Sequence, residues 1–166
     1  MIDPGPNFMD INIRSITSDD ILTVVGLIRE FARFEKLEEF CEVDEDRLGR
    51  VMFGENAMVE GLIARDKDRA VAYALFFPTF ASFRGQPGLY LEDIYIKAEY
   101  RAQGLGEKML REIARIGVAR GCERIDFMVL DWNTPAVKFY ERLGAICDAD
   151  DQHFKFVDNA FRRLVE

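Results

Sequence analysis

Apolar residues return at two different periods along this chain, and the switches between the periods mark out its elements. Ile11-Asn12-Ile13-Arg14 alternates and predicts a short first strand. Thr17-Ser18-Asp19-Asp20 carries a helix start, with Thr17 as the cap and Asp20 three residues on. Ile21, Val24, Val25, Ile28, Phe31 and Ala32 then recur at helical spacing, and that helix is expected to end near Glu35. An acidic stretch follows over 36–45, then a short helix over 46–53 and a turn at Gly54-Glu55-Asn56. Three segments of strand character come next, over 58–65, 70–77 and 89–96. Asp66-Lys67-Asp68 predicts a hairpin between the first two, and residues 78–88 read as a loop.

The period changes again after the third of these strands. Leu105, Met109, Ile113 and Ile116 predict an amphipathic helix ending near Arg120 and Gly121. Residues 125–130 predict a strand, and Thr134-Pro135 opens a helix carrying Ala136, Phe139, Tyr140 and Leu143 up to Gly144. Residues 153–157 and 161–164 suggest a final strand or two. Residues 1–9 read as a loose tail and 10–166 as one domain. Consecutive hairpin strands followed by a crossover helix indicate an α/β fold, a mixed sheet with helices on its faces.

Composition narrows the function classes. The 166 residues carry 22 basic against 30 acidic side chains, a formal charge of -8. That excludes a protein that tracks a nucleic-acid backbone and suits a cationic partner or substrate. Cys41, Cys122 and Cys147 form no CxxC pair, and His153 is the single histidine, so neither a zinc site nor a disulfide framework is expected. Reduced cysteines, no leader-like N-terminus and no run long enough to span a membrane point to a cytoplasmic protein.

Two places hold candidate chemistry. Arg101-Ala102-Gln103-Gly104-Leu105-Gly106 lies between a strand and a helix start, where glycines and free N–H groups make an anion site, or merely a tight turn. It is neither a P-loop nor a dinucleotide fingerprint. Glu92 and Asp93 interrupt an apolar strand. As neighbours they point to opposite faces and cannot pair as carboxylates unless the strand is bulged. Whichever of them faces inward needs a cationic or proton-bearing partner.

Three blocks together carry a family resemblance: Leu91-Glu92-Asp93 within the strand, Arg101 to Gly106, and Asn133, Pro135, Phe139, Tyr140 and Gly144 downstream. The chain resembles the GCN5-related N-acetyltransferase superfamily, and within it the spermidine/spermine branch that includes diamine and thialysine acetyltransferases. The resemblance implies a splay between the strands ending near Ile96 and Leu130, with acetyl-CoA lying in it. The backbone of Ile94, Tyr95 and Ile96 would hold the pantetheine arm, and Arg101, Ala102, Gln103, Gly104, Leu105 and Gly106 the pyrophosphate. Asn133 is either a contact of the cofactor arm or a helix cap, Phe139 lies beside the cofactor, and Arg142 near its phosphates. Glu92 would accept the amine proton, directly or through water, and Tyr140 would protonate the departing thiolate. The amine would attack in a ternary complex, since no Cys–His or Ser–His pair offers a covalent relay.

On the same resemblance, Glu35, Phe83, Glu92, Asp93 and Gln152 would meet the acceptor. The polyamine branch has an acid beside the aromatic at Phe83 and another where Gln152 falls, and this chain has neither, with Arg84 nearby. A diamine or polyamine is the leading acceptor class, and thialysine or a related amino-acid-like amine the alternative. A protein N-acetyltransferase and a non-catalytic acyl-CoA-binding domain are the more distant readings. Relatives also imply a homodimer in which the C-terminal strand, here 153–157, crosses to the partner.

Overall fold

The computed structural model describes residues 11–148 and 153–165. They divide into two compact units, one ending at Met128 and the other beginning at Val129.

The first unit is built on a five-stranded sheet in the order β1 (Ile11–Ser15), β2 (Glu60–Asp66), β3 (Arg69–Ala81), β4 (Gln86–Ile96) and β5 (Ile125–Asp126). The first three pairings are antiparallel and the last is parallel, which makes the sheet mixed. The side-chain period of two divides its apolar residues between two layers. Ile63, Tyr73, Leu75 and Tyr95 pack with Val24, Val25 and Leu27 of α1 (Ile21–Glu35) and with Leu48 and Met52 of α2 (Glu45–Phe53). Leu62, Ala64, Ala72, Ala74, Phe76, Leu89 and Leu91 pack with Leu105, Met109 and Ile113 of α3 (Leu105–Ala119). Where β2 and β3 come closest to the chain entering α1, a side chain on Gly61 would meet Ile16 Cδ1 at 2.5 Å and the Ala74 carbonyl oxygen at 2.6 Å. Only glycine fits there.

The start of α1 is tied to the sheet by a buried carboxylate. Asp20 is 2% exposed. It accepts from both guanidinium nitrogens of Arg14 at 2.6 and 2.9 Å, from Arg65 at 3.0 Å, and from Thr17 N–H and Oγ1 at 2.9 Å each. The predicted capping box is therefore present. At its other end α1 stops because Lys36 turns left-handed at φ 59°, with the Leu37 N–H closing onto the Ala32 carbonyl at 2.8 Å. Glu35 is thus the last residue of the helix, as the sequence pattern predicted.

Three sequence expectations are corrected. Residues 78–88 are not a loop: β3 runs on to Ala81 and β4 begins at Gln86, with Phe80 opposite Pro87 and Ala81 opposite Gln86. The pairing continues because backbone groups on a hairpin satisfy one another out to a tight turn. The strand predicted over 125–130 pairs only at Ile125 and Asp126. In the second unit, 153–157 forms no strand, and 161–164 lies within α5 (Asp158–Arg162) and the 3-10 turn after it. Phe161 and Leu164 are three apart, a spacing that suits a helix face as well as a short apolar run. The second unit also contains α4 (Thr134–Arg142), opened by Pro135 in its first turn and followed by Gly144 at φ 92°.

Arg14 and Arg65 hold the Asp20 carboxyl well below the usual carboxylate range. Replacing Asp20 with Ala removes the charge on which two part-exposed arginines converge. Urea unfolding is expected to show a loss of about 2–3 kcal/mol. Because the folded-state pKa is depressed, the contribution is complete above about pH 5 and fades as acid protonates the group. The gap between wild type and variant should therefore narrow as the pH falls below about 4.

Candidate active site

β4 breaks its alternation at one point. Leu75 of β3 pairs with Asp93 and Phe76 pairs with Leu91, so Glu92 is the extra residue of a β-bulge. The bulge inverts the phase of the strand. Leu89 and Leu91 belong to the layer beneath α3, whereas Tyr95, an even number of residues further on, belongs to the layer beneath α1. Glu92 itself is exposed. The condition under which adjacent acids escape opposite faces is therefore met.

Asp93 is directed toward the α1 layer, where its Oδ2 accepts a hydrogen bond of 3.0 Å from the hydroxyl of the fully buried Tyr73. Burial pushes the Asp93 carboxyl up to about 6, the Tyr73 hydrogen bond opposes the rise, and the charges of Glu92 and Glu35 add to it. Burial also raises Glu35, and it raises Tyr73 well above the ordinary phenol value, with Asp93, Glu35 and Cys41 adding to the effect on Tyr73. Three acids from two elements thus act on one place. Aromatic rings stand alongside: Tyr95 lies 5.5 Å from Phe31 of α1 and 6.4 Å from Tyr73. An acid raised by two neighbouring carboxylates and set against ring faces favours a cation.

The other end of β4 leads into the anion site. β5 pairs only with Leu89 and Tyr90, so along Leu91 to Ile96 no strand covers that edge among the described residues. The chain then turns through Ala102 at φ 58° and Gly104 at φ 82° into α3. A side chain at Gly104 would meet nothing within 4 Å, so the glycine serves the left-handed backbone and not a close approach. Leu105 is 2% exposed and anchors the first turn, while the Gln103 amide donates to the Glu99 carbonyl at 2.9 Å. Arg101 donates from Nε to the Ile96 carbonyl at 2.8 Å and lies over the rings of Phe34, at 4.3 Å, and Tyr95, at 5.5 Å. Arg101 therefore stands between the glycine turn and the aromatic wall, a placement its sequence position did not disclose.

In the second unit Asn133 caps α4, its Oδ1 accepting from the Ala136 N–H at 3.3 Å. The Phe139 and Tyr140 rings meet edge to face at 5.1 Å, and Arg142 lies 5.6 Å from the Phe139 ring. Burial pushes the Tyr140 hydroxyl up to about 12, so it stays protonated at neutral pH. Phe83 is fully exposed at the tip of the β3–β4 hairpin and is not brought to Glu92 and Asp93 within the first unit. Gln152 lies outside the described residues. Tyr73 and Phe31 were not among the predicted site residues. A tyrosine inside the apolar run over 70–77 was the available signal, because a buried phenol needs a partner.

A mixed sheet with one open edge, a glycine-turned helix at the end of that edge and acids on the same strand define an α/β protein whose candidate chemistry gathers along β4. The chain belongs to the acetyltransferase (GNAT) family, which residues 26–145 match. Within that family it is an N-acetyltransferase of the spermidine/spermine-like branch. It is 35% identical over 163 residues to the thialysine N-epsilon-acetyltransferase of Sus scrofa, covering 92% of this chain and 95% of that one. It is 30% identical over 141 residues to spermidine/spermine N(1)-acetyltransferase-like protein 1 of Homo sapiens, covering 81% of this chain and 20% of that one. In fold it is similar to an integron cassette protein from the mobile metagenome of V. cholerae, with a TM-score of 0.80, 22% identity, and coverage of 95% of this chain and 99% of that one.

An acid whose folded-state pKa is raised destabilises the fold once it ionises, so stability falls as the pH climbs from the ordinary aspartate value through about 6. Asp93→Asn abolishes that loss and keeps an acceptor for Tyr73. At pH 8 the variant is expected to be more stable than wild type by on the order of 1–2 kcal/mol, with the difference vanishing near pH 4. Thermal melts across that range check both the sign and the trend.

Proposed function

We propose that this chain transfers an acetyl group from acetyl-CoA to the primary amine of a small cationic acceptor, and that the acceptor is amino-acid-like, of the thialysine type. The observation that carries the cationic acceptor is the shared effect of Glu35, Glu92 and Asp93 beside the rings of Phe31, Tyr73 and Tyr95. The residue pattern put diamines and polyamines first. The 35% identity to thialysine acetyltransferase over almost the whole chain supports moving the amino-acid-like acceptor ahead. Ser82 beside Phe83 and Gln152 further on, where the polyamine branch has acids, support the same choice. A long polyamine needs a compensating group for each of its charges.

The residues present fit acetyl-CoA. An uncovered strand edge over 91–96 suits its amide-bearing arm, and the left-handed turn into α3 offers free N–H groups to its pyrophosphate. When bound, it supplies an activated acyl group as a thioester. Asp93 and Glu35 hold the acceptor's ammonium, and Glu92, exposed on the bulge, takes its proton through water. The Ile94 N–H polarises the carbonyl as charge grows on its oxygen. The Tyr140 hydroxyl delivers a proton to the departing sulfur. Transfer is direct, since no Cys–His or Ser–His pair is evident in the sequence to act as a covalent relay. The reading also includes a homodimer and, in keeping with three free cysteines, the cytoplasm.

Release of free thiol with thialysine, putrescine, spermidine and spermine as acceptors tests the reading, and the highest kcat/KM is expected for thialysine. A strong preference for spermine over all the others contradicts the acceptor assignment, and inactivity with every amine contradicts the reaction. Tyr140→Phe should lower kcat by about 10²-fold with little change in the KM for acetyl-CoA. Glu92→Gln should make the rate follow the fraction of acceptor already deprotonated in solution, so activity recovers as the pH rises. An unchanged pH profile in that variant removes Glu92 from the proton path.

A further inference from the structure

Tyr73 lies at the centre of β3, fully buried, in the layer that packs beneath α1. Every other β3 residue buried between Val71 and Phe76 is apolar. A phenol at such a position costs stability unless its hydroxyl is paired, and its partner is Oδ2 of Asp93, at 3.0 Å across the β3–β4 pairing. No donor among the described residues reaches the other oxygen, Oδ1. The pairing register explains the contact. Tyr73 lies opposite Tyr95, and the bulge at Glu92 brings Asp93 opposite Leu75, two residues along the same face from Tyr73.

We propose that Tyr73 is a positioning residue for the acceptor: its buried hydroxyl holds Asp93 in one orientation, with Oδ1 as the atom that meets the acceptor's ammonium. The inference rests on the acetyltransferase reading above and adds to it the group that prepares the cation-binding carboxylate. An ordered carboxylate binds an ammonium without first losing side-chain freedom. The hydroxyl also favours the charged form of a carboxyl that burial and neighbouring acids would otherwise keep protonated. The groups acting on Asp93 are Tyr73 from β3, Glu92 from β4 and Glu35 from α1. Cys41, after the 3-10 turn that follows α1, acts on Tyr73. Among these only Tyr73 stabilises the anion.

Tyr73→Phe keeps the ring and removes the hydroxyl. The expected result is a rise of about tenfold in the KM of the acceptor, from the loss of one hydrogen bond to a charged group. The KM for acetyl-CoA and kcat at saturating acceptor should stay within twofold. The acid limb of kcat/KM should move to higher pH, and a carbon-13 NMR titration of the Asp93 carboxyl should move the same way. In an Asp93→Asn background the same substitution should add nothing further to the acceptor KM, because Tyr73 acts through that carboxylate. A purely structural tyrosine would instead shift both KM values together and leave the titration in place. If wild type acetylates amines while Tyr73→Phe, shown folded by its melt, keeps the acceptor KM and the Asp93 titration, the inference fails alone. If wild type acetylates no amine, the functional reading fails and this inference with it.

Discussion

One extra residue in β4 sets the phase of the strand on either side of it. With Glu92 bulged, Leu89 and Leu91 complete the layer beneath α3, while Asp93 and Tyr95 turn toward α1. A regular strand would have kept all four side chains on one face, placing either the acid among the packed leucines or the leucines in the aromatic wall. The bulge also coincides with the end of β5, which follows β4 only as far as Tyr90. A bulge increases the local twist of its strand. The acid turned inward and the switch of β4 from one apolar layer to the other therefore share one local cause.

The acid turned inward is held there against its own electrostatics. Burial and two neighbouring carboxylates all favour the protonated form of Asp93, and only the Tyr73 hydroxyl favours the anion. The Asp93 charge is imperfectly compensated within the fold, and the fold is less stable for it. Asp20 is the opposite case in the same unit. It is buried, yet it receives two arginines and a capping threonine, and its charge is fully used in joining α1 to β1 and β2. Two inward-facing acids of one unit thus differ in how fully their charge is compensated.

Arg101 ties the C-terminal end of β4 to the end of α1. Its Nε closes the turn onto Ile96, and its guanidinium covers Phe34 in the last turn of α1 and Tyr95 in the sheet. The helix that supplies Glu35 is thereby packed against the residue that opens the glycine turn. Lys36, in its left-handed conformation, fixes where that helix stops. The glycine turn and the aromatic residues beside Asp93 consequently share one packed set of side chains.

From sequence alone, the α/β class, α1 from its Thr17–Asp20 start to Glu35, α3, and the Asn133–Gly144 helix were legible. Each is specified by short-range chemistry: a cap, a 3.6-residue apolar period, a glycine stop. The pairing of Glu92 with Asp93 as candidate acids was legible too, together with the condition that a bulge was needed to bring them into one site. Whether the bulge existed was not, because it depends on which β3 residue faces which β4 residue, and pairing register is a long-range property. For the same reason the β3–β4 hairpin ran longer than its Pro- and Gly-containing sequence suggested, and the alternation of residues 153–157 did not by itself make a strand. Tyr73 was visible only as one aromatic in an apolar run. Its role came from the tertiary structure, which placed its hydroxyl, buried and in need of an acceptor, within 3.0 Å of Asp93.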